Sequence, residues 1–324
     1  MFHGSLRAFD QTARTGSIRK ASETLGVAPS SVSRHIAILE RQIGTALFHR
    51  KAAGVELTHA GNLVAAFTRK LLVDYDSLRT DLDDVRGVQR RLVRIGSVES
   101  IAASAPMNAV HAFHTRYPAI SFNIRLLPSP AVAQAVRDGR CEIGLAYCVQ
   151  PDSEIVALAR IPEPIMLAVR ADHPLANSGQ LRLEDIASLP LALPDVDFGV
   201  RQIIDAAAGA VGVRLEPILS ANDFGALRSF VRSGACAALL PMRAITGRGH
   251  GRELVAVSIA EPSFTTATID LIVLRERRLP RVLQAFVEEL TQQFASMTPR
   301  FHAGQGGHWN NQLVGPATEN LDVR

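Results

Sequence analysis

The most constraining feature of this sequence is a long helical pattern over residues 59–86 that no proline interrupts. Apolar side chains recur along it every three or four residues, at Ala60, Val64, Phe67, Leu71, Tyr75, Leu78, Leu82 and Val85. A helix of this length, rising 1.5 Å per residue, is a rod of about 40 Å, longer than most helices within domains. The rod therefore divides the chain into a small part before it and a large part after it.

Two interpretations of this apolar stripe stay open. An amphipathic helix commonly packs on its own domain, whereas a repeat close to seven residues is typical of helices that pair with a second copy. The position of the rod between two modules favours pairing. The residues predicted to form that interface are Phe67, Leu71, Leu78 and Leu82.

The part before the rod shows three short helical patterns. The first covers residues 5–13, and the second begins after Ser17, a residue type that caps helix starts well. The third begins at Pro29 and carries an apolar stripe at Val32, Ile36, Leu39 and Ile43. Helix, glycine turn and helix is the arrangement of a helix-turn-helix, whose second helix enters the DNA major groove. Strand-like residues 46–50 and 55–58 predict a wing, although a small helical cap with a β-hairpin has the same pattern.

The charge distribution agrees with a DNA-binding role for this part. Of the 324 residues, positions 1–58 contain eight Lys and Arg against four Asp and Glu, which equals the formal net charge of +4 for the whole chain. The remaining residues are neutral overall. A basic module on a neutral body suggests a polyanion as its partner.

From residue 91 onward the pattern alternates between strands and helices. Strands are predicted at 92–96, 120–126 and 142–148, with helices at 102–117 and 131–137 between them. That order implies a parallel sheet with right-handed crossovers. A second set of such elements follows, and residues 268–274 and 281–294 are predicted to return to the first lobe.

Residues 5–67 resemble the DNA-binding segment of the LysR-type transcriptional regulators. The matching positions form one ordered series: Leu6, Phe9, Gly16, Ser17, Ala21, Leu25, Val27, Val32, Ser33, Ile36, Leu39, Glu40, Gly44, Leu47, Phe48, Arg50, Leu57, Thr58, Ala60 and Gly61. Pro29 and His35 depart from the pattern, since glutamines are common there in the family. The two-lobed part is similar to the effector domain of the same family, and the resemblance covers about residues 1–298.

The resemblance implies an α+β protein with a winged helix-turn-helix, a long linker helix and a two-lobed α/β effector domain like the type 2 periplasmic binding proteins. The expected divisions are 1–58 for the DNA-binding domain, 59–87 for the linker helix and 88–300 for the effector domain. Lobe I would take about 91–162 and 267–298, and lobe II about 163–266. Residues 301–324 have no periodicity and are expected to be a disordered tail. The family's usual assembly, a homotetramer of two homodimers, is implied by resemblance alone.

The resemblance also assigns candidate site residues. Double-stranded DNA would be contacted by Pro29, Ser30, Ser31, Ser33, Arg34 and His35 of the third helix and by Arg50 and Lys51 of the wing. Arginine and hydroxyl side chains donate to phosphates and base edges. A small-molecule effector would be bound by Ser97, Glu99, Ser100, Ser129, Phe198 and Asn222. Glu99 would favour a ligand with an ammonium group or a hydrogen-bond donor if it faces the pocket, and the sequence equally allows it to point into solvent.

No catalytic pattern is present, so we expect a protein that is not an enzyme and uses no metal or cofactor. The sequence contains no phosphate loop, no Gly-x-Ser-x-Gly elbow and no His-Glu-x-x-His motif. It has no apolar run of about 18 residues for a membrane span and no apolar segment of a secretion signal at its start. These two absences, together with a content of only three cysteines, predict a protein of the reducing cytoplasm. The alternative is a solute-binding protein or enzyme that carries a basic module.

Overall fold

The structure, a computed structural model, describes residues 2–51, 54–85, 91–102, 104–150, 153–246, 253–275 and 279–296. The helices are α1 Phe2–Thr15, α2 Ile18–Leu25, α3 Pro29–Ile43, α4 His59–Val85, α5 Glu99–Ala102, α6 Ala105–Arg116, α7 Ser129–Arg137, α8 Leu183–Ile186, α9 Gly199–Ala210, α10 Phe224–Arg232, α11 Met242–Thr246, α12 Pro262–Thr265 and α13 Arg281–Ser296. The strands are β1 Phe48–Lys51, β2 Gly54–Leu57, β3 Arg91–Ser97, β4 Ile120–Leu126, β5 Ile143–Tyr147, β6 Ile155–Pro162, β7 Ile165–Arg170, β8 Leu191–Pro194, β9 Pro217–Ala221, β10 Ala237–Pro241, β11 Leu254–Ser258 and β12 Thr268–Leu274. The predicted tail, residues 301–324, lies outside the described residues.

Helices α1 to α3 form the helix-turn-helix that the sequence predicts. Ser17 caps α2 by accepting a hydrogen bond from the Lys20 N–H, and Gly26 ends that helix with φ +66°. Pro29 begins α3, where its missing N–H removes no helical bond. Phe9 of α1 and Leu39 of α3 are fully buried in the shared core.

The wing is an antiparallel hairpin of β1 and β2, with Phe48 opposite Leu57 and Lys51 opposite Gly54. It packs on the end of α1, because the Val55 N–H donates to the Gly16 carbonyl at 2.9 Å. A side chain at position 54 would bring its Cβ to 2.4 Å from that same carbonyl oxygen. Glycine at this position therefore lets the hairpin approach the helix.

The apolar side chains of α4 divide into packed and exposed ones. Ala60, Val64, Ala65, Leu71 and Leu72 pack against the core of the helix-turn-helix module. Leu63, Phe67 and Leu78 are open to solvent, with 64%, 63% and 56% of their surface exposed, and Tyr75 is also exposed. The predicted interface is therefore divided: Phe67 and Leu78 are free to meet a partner, whereas Leu71 packs within its own chain. The side chain of Leu82 lies outside the described part.

Two five-stranded sheets build the rest of the protein. The first has the order β4-β3-β5-β12-β6, and the second has the order β11-β7-β10-β8-β9. Strands β3, β4 and β5 are parallel, as predicted, but β12 runs antiparallel to β5 and β6. The parallel arrangement predicted for residues 92–148 is therefore confirmed, and β12, which enters the sheet after the chain has returned from the second lobe, adds the antiparallel pairing.

A buried ion pair lies where the chain passes from the first lobe to the second. Glu163 has no exposed surface and stands between β6 and β7, where its carboxylate pairs with the Arg243 guanidinium of α11. The Arg243 backbone N–H also donates to Glu163 Oε1 at 2.9 Å. Burial raises the pKa of Glu163, and the charge of Arg243 opposes that rise.

No helix among the described residues is both long enough and apolar enough to span a membrane.

Candidate functional site

The exposed face of α3 carries the polar side chains that the sequence assigns to DNA contact. Val32, Ile36 and Leu39 are buried on the inner face of the helix. Pro29, Ser30 and Arg34 are exposed on the outer face, and Ser31 and Ser33 are partly buried beside them. No side chain caps the first turn of α3. Its outer face therefore presents hydroxyl and guanidinium donors together with the positive end of a helix dipole.

His35 does not belong to that face. Its Nδ1 lies 3.2 Å from the Ser5 hydroxyl of α1, and Ser5 is fully buried. A Cβ at Gly4 would approach the His35 ring to 3.3 Å. One residue along a helix turns the side chain by about 100°, so Arg34 faces outward while His35 packs against α1. The proposed DNA contact of His35 is therefore not supported by its position.

The wing presents two basic side chains. Arg50 is exposed, and Lys51 pairs with Glu56 across the hairpin while more than half of its side chain stays open. This pairing lowers the pKa of Glu56. Ion pairs between exposed side chains are weak, so Lys51 can exchange Glu56 for a phosphate.

A cleft that is partly open to solvent lies between the two lobes. Its wall is mainly apolar and combines residues of both lobes: Val98, Leu127, Pro128, Phe198, Gly199, Val200, Phe224 and Pro241. The rings of Phe198 and Phe224 meet edge to face, with centroids 5.5 Å apart. Such a surface suits the apolar body of a small molecule.

Three hydroxyl groups complete the wall, and two of them are already engaged. The Ser129 Oγ accepts a hydrogen bond from the Tyr147 N–H at 2.9 Å. The Tyr147 hydroxyl donates to the Glu163 carbonyl, and burial raises its pKa well above the usual value. The Ser129 Oγ only accepts in its contact with the Tyr147 N–H, so its O–H can still donate to a ligand, as can the Ser100 hydroxyl, which has no partner among the described residues.

Glu99 reaches across the mouth of this cleft. It is the first residue of α5 in the first lobe, and its Oε2 accepts from the Phe224 N–H of the second lobe at 3.2 Å. Burial raises the pKa of Glu99. Of the two orientations that the sequence leaves open, the structure has the carboxylate turned toward the opposite lobe.

Three of the predicted effector residues are not among those that line the cleft: Glu99 at its rim, Ser97 and Asn222. Ser97 is fully buried at the end of β3, and its hydroxyl donates to the Val98 carbonyl at 3.0 Å. Asn222 is exposed outside the wall. The strand alternation that brings Val98 to the cleft turns Ser97 into the core. Ser100, Ser129 and Phe198 do lie together in the wall.

Sequence reasoning missed the apolar half of the wall. Leu127, Tyr147, Phe224 and Pro241 lie at strand or helix ends, but nothing in their sequence context distinguishes them from ordinary core residues.

Within the described residues, no three His, Cys, Asp or Glu side chains come together as a metal site.

The two lobes touch where α7 and α9 begin. A Cβ on Gly199, the first residue of α9, would stand 3.0 Å from both Cβ and Oγ of Ser129, the first residue of α7. The absence of a side chain at position 199 therefore sets how closely the lobes approach.

Family models match almost the whole described chain. Residues 3–62 match the bacterial regulatory helix-turn-helix protein, lysR family, and residues 86–295 match the LysR substrate binding domain. The chain is 25% identical over 292 residues to the RuBisCO operon transcriptional regulator of Allochromatium vinosum, covering 90% of this chain and 96% of the relative. It is 24% identical over 263 residues to a probable nitrogen assimilation transcriptional activator of Synechococcus elongatus, covering 80% and 85%.

Solved structures share the fold. A full-length OxyR variant from Pseudomonas aeruginosa superposes with a TM-score of 0.66 at 17% identity, over 91% of this chain and 94% of that one. The regulatory domain of CcmR from Synechocystis, in complex with 2-PG, superposes with a TM-score of 0.58 at 15% identity, over 64% of this chain and all of that one.

Glycine-to-alanine substitutions in α9 test the lobe contact. We expect Gly209→Ala to raise the free energy of unfolding by about 0.5–1 kcal/mol, because alanine favours a helix and nothing lies within 4 Å of the new methyl group. Gly199→Ala places the same methyl group against Ser129, so we expect no such gain in its free energy of unfolding. Urea unfolding of both variants measures the difference, and an equal gain in both would show that the lobes do not press together there.

Proposed function

The chain belongs to the LysR family of bacterial helix-turn-helix regulators, and from this we infer that it is a transcriptional regulator that binds DNA and responds to a small molecule bound between two lobes. The observation that carries the DNA-binding role is the outer face of α3, where exposed Ser30 and Arg34 stand opposite a buried apolar stripe. The relatives are named as a transcriptional activator and a transcriptional regulator, and these names favour a regulator over the alternative of a solute-binding protein or an enzyme.

We assign DNA contact to polar and basic residues of α3 and the wing. Those on α3 are Pro29, Ser30, Ser31, Ser33 and Arg34, with Arg50 and Lys51 on the wing. Arg34 is suited to base edges, because its guanidinium is exposed on the helix that enters the major groove. The wing residues are suited to phosphates. His35 is assigned a supporting role, in which it holds α3 against α1 through Ser5.

We assign effector binding to the cleft between the lobes, with Ser100, Ser129 and Phe198 in its wall and Glu99 at its rim. The proposed divisions remain 1–58, 59–87 and 88–300, followed by the tail. The protein is proposed to act in the cytoplasm as a regulator without catalytic activity, cofactor or metal.

Helix α7 offers a physical route between the two sites. Its first residue, Ser129, lies in the cleft wall, and the residue that ends it, Asp138, contacts the DNA-binding module. The Arg14 Nη2 of α1 donates to the Asp138 carbonyl at 2.9 Å, and the Arg69 Nη1 of α4 lies 3.7 Å from the Asp138 carboxylate. A guanidinium at the C-terminal end of a helix is favourable for the helix dipole. A shift of α7 on effector binding would therefore change its contacts with α1 and α4.

This junction is incompletely paired. Arg14 Nε donates to Asp10 Oδ2 at 2.7 Å, but Asp10 Oδ1 and Arg69 Nε are 4.0 Å apart. Both atoms are buried without a hydrogen-bond partner among the described residues. Burial raises the pKa of Asp10. A contact made of imperfectly paired buried charges is marginally stable, and this supports a junction that an effector can open or close.

Substitutions on α3 and the wing test the DNA-binding proposal. Arg34→Ala should weaken binding to the specific site by about 1–3 kcal/mol while sparing unrelated sequences. Lys51→Ala should weaken all sequences alike and reduce the salt slope by about one. Fluorescence anisotropy with the upstream region of the protein's own gene and a shuffled control measures both. Equal affinity of Arg34→Ala and the native protein for the upstream region would remove α3 from recognition.

The exposed face of α4 is the proposed pairing surface. Phe67→Asp combined with Leu78→Asp places charge on that face, and we expect the dimer to dissociate because an unpaired charge is unfavourable at a buried contact. Leu71→Asp is the matched control, since Leu71 packs within its own module and should lower the stability of that module instead. Sedimentation velocity and circular dichroism separate the two effects. An unchanged sedimentation coefficient in the double variant would contradict the assignment.

Two arginines that contact Asp138 test the junction. Arg14→Ala removes the bond from α1, whereas Arg140→Ala removes a neighbour within the first lobe, whose Nη2 lies 3.2 Å from the Asp138 carboxylate. We expect only Arg14→Ala to speed hydrogen exchange at the end of α7 and to increase the radius of gyration. The same response in both variants would show that the module is not held there.

A further inference from the structure

We propose that Glu99 determines the chemical class of the effector: it disfavours anions and selects an apolar molecule that carries an uncharged donor or an ammonium group. This inference rests on the proposed role of the cleft. It goes beyond that role, because it assigns a charge preference to the site and a selecting role to one residue.

The Glu99 carboxylate connects the two lobes. Glu99 belongs to the first lobe, and it accepts a hydrogen bond from the backbone N–H of Phe224, which lines the cleft in the second lobe. On either side of Glu99 along the chain, Val98 and Ser100 also line the cleft. The carboxylate therefore stands at the edge of the space that a ligand would fill.

The start of α10 is already occupied by carboxylates of the chain itself. Asp223 accepts from the Gly225 N–H at 2.8 Å and from the Ala226 N–H at 3.2 Å, while Glu99 accepts from the Phe224 N–H. Free N–H groups at a helix start are a common binding site for anions. Here the first three N–H groups of α10 are taken, so an anionic ligand at the start of α10 would have to displace a protein carboxylate.

The charges around Glu99 add to this preference. Asp223, the N-cap of α10, and Arg228 of α10 are the charged side chains near Glu99, so two carboxylates share one guanidinium there. Arg228 is held by the Ala244 carbonyl, to which its Nη1 donates at 3.1 Å. The residues that line the described cleft include no Lys, Arg or His. A ligand carboxylate would thus enter an apolar space whose lining offers it no cation, beside a rim that carries two carboxylates, which is unfavourable.

The wall of the cleft suits an apolar ligand with a short polar arm. Its lining is mainly apolar, and the edge-to-face pair of Phe198 and Phe224 can pack against a planar ring. The unengaged hydroxyl of Ser100 and the Glu99 carboxylate lie at the same edge, next to each other along the chain. An amine or alcohol head group would find acceptors there, whereas a carboxylate head group would find repulsion.

Three ligands with one ring and different head groups test the proposal. Phenylacetate, 2-phenylethanol and 2-phenylethylamine are titrated by calorimetry into the full-length protein, into Glu99→Gln and into Asp197→Asn. The Glu99→Gln substitution removes the charge but keeps an amide oxygen that can accept from the Phe224 N–H, so the lobe contact is retained. Asp197 is an exposed carboxylate next to Phe198 and serves as the matched control for loss of a nearby charge.

We expect the native protein to bind the amine and the alcohol at least about tenfold more tightly than the acid, because like charges repel at the rim. Glu99→Gln should narrow the gap between amine and acid by about tenfold, and Asp197→Asn should leave it unchanged. Equal or tighter binding of phenylacetate to the native protein would overturn the proposal, as would an unchanged gap in Glu99→Gln. Failure of all three ligands to bind at millimolar concentration would equally reject this ligand class.

DNA binding is measured on the same protein samples. A native protein that binds no DNA would reject the proposed function, whatever the three ligands do. A protein that binds DNA but prefers phenylacetate would reject only the role of Glu99. The two failures are therefore distinguishable.

Discussion

The ion pair between Glu163 and Arg243 is the interaction on which the two-lobed arrangement depends. A fully buried carboxylate needs a charged partner, and Arg243 supplies both its guanidinium and its backbone N–H. The pair lies where the chain passes from β6 to β7, and the Glu163 carbonyl also accepts from the Tyr147 hydroxyl of the cleft wall. The crossover, the end of β10 and the base of the cleft are thus held at one point.

From that point the structure extends in two directions. At the cleft, Ser129 and Gly199 bring the lobes close together, and Glu99 joins them at the rim. At the other end of α7, Asp138 accepts a hydrogen bond from Arg14 of the DNA-binding module and lies near Arg69. Next to this contact, within the module, Asp10 Oδ1 and Arg69 Nε are buried without a hydrogen-bond partner among the described residues. Helix α7 thus connects the cleft to a place where charges of the module are incompletely paired, which is a physical basis for a shift between two arrangements.

Most elements were predictable because their patterns are local. The helix-turn-helix, the long helix and the strands that become β3, β4 and β5 follow from apolar spacing, capping residues and glycine turns. Three of the described strands were missed, and they are β6, β8 and β11. Strand β8 is only four residues long and ends in proline, and β6 takes its place at the sheet edge only through pairing with the distant β12. Such pairing leaves no mark on the strand's own sequence.

The family, the fold class and the polar outer face of α3 follow from the sequence alone, because each depends on side-chain spacing along one element. Which candidate residues share a site depends on how distant segments pack. That packing turns His35 toward Ser5, buries Ser97, leaves Asn222 outside the cleft, and covers some apolar residues of α4 while it leaves others exposed. The orientation of Glu99 was likewise decided by a partner 125 residues away. These outcomes depend on what each side chain packs against, and that is set by contacts between segments distant in the chain.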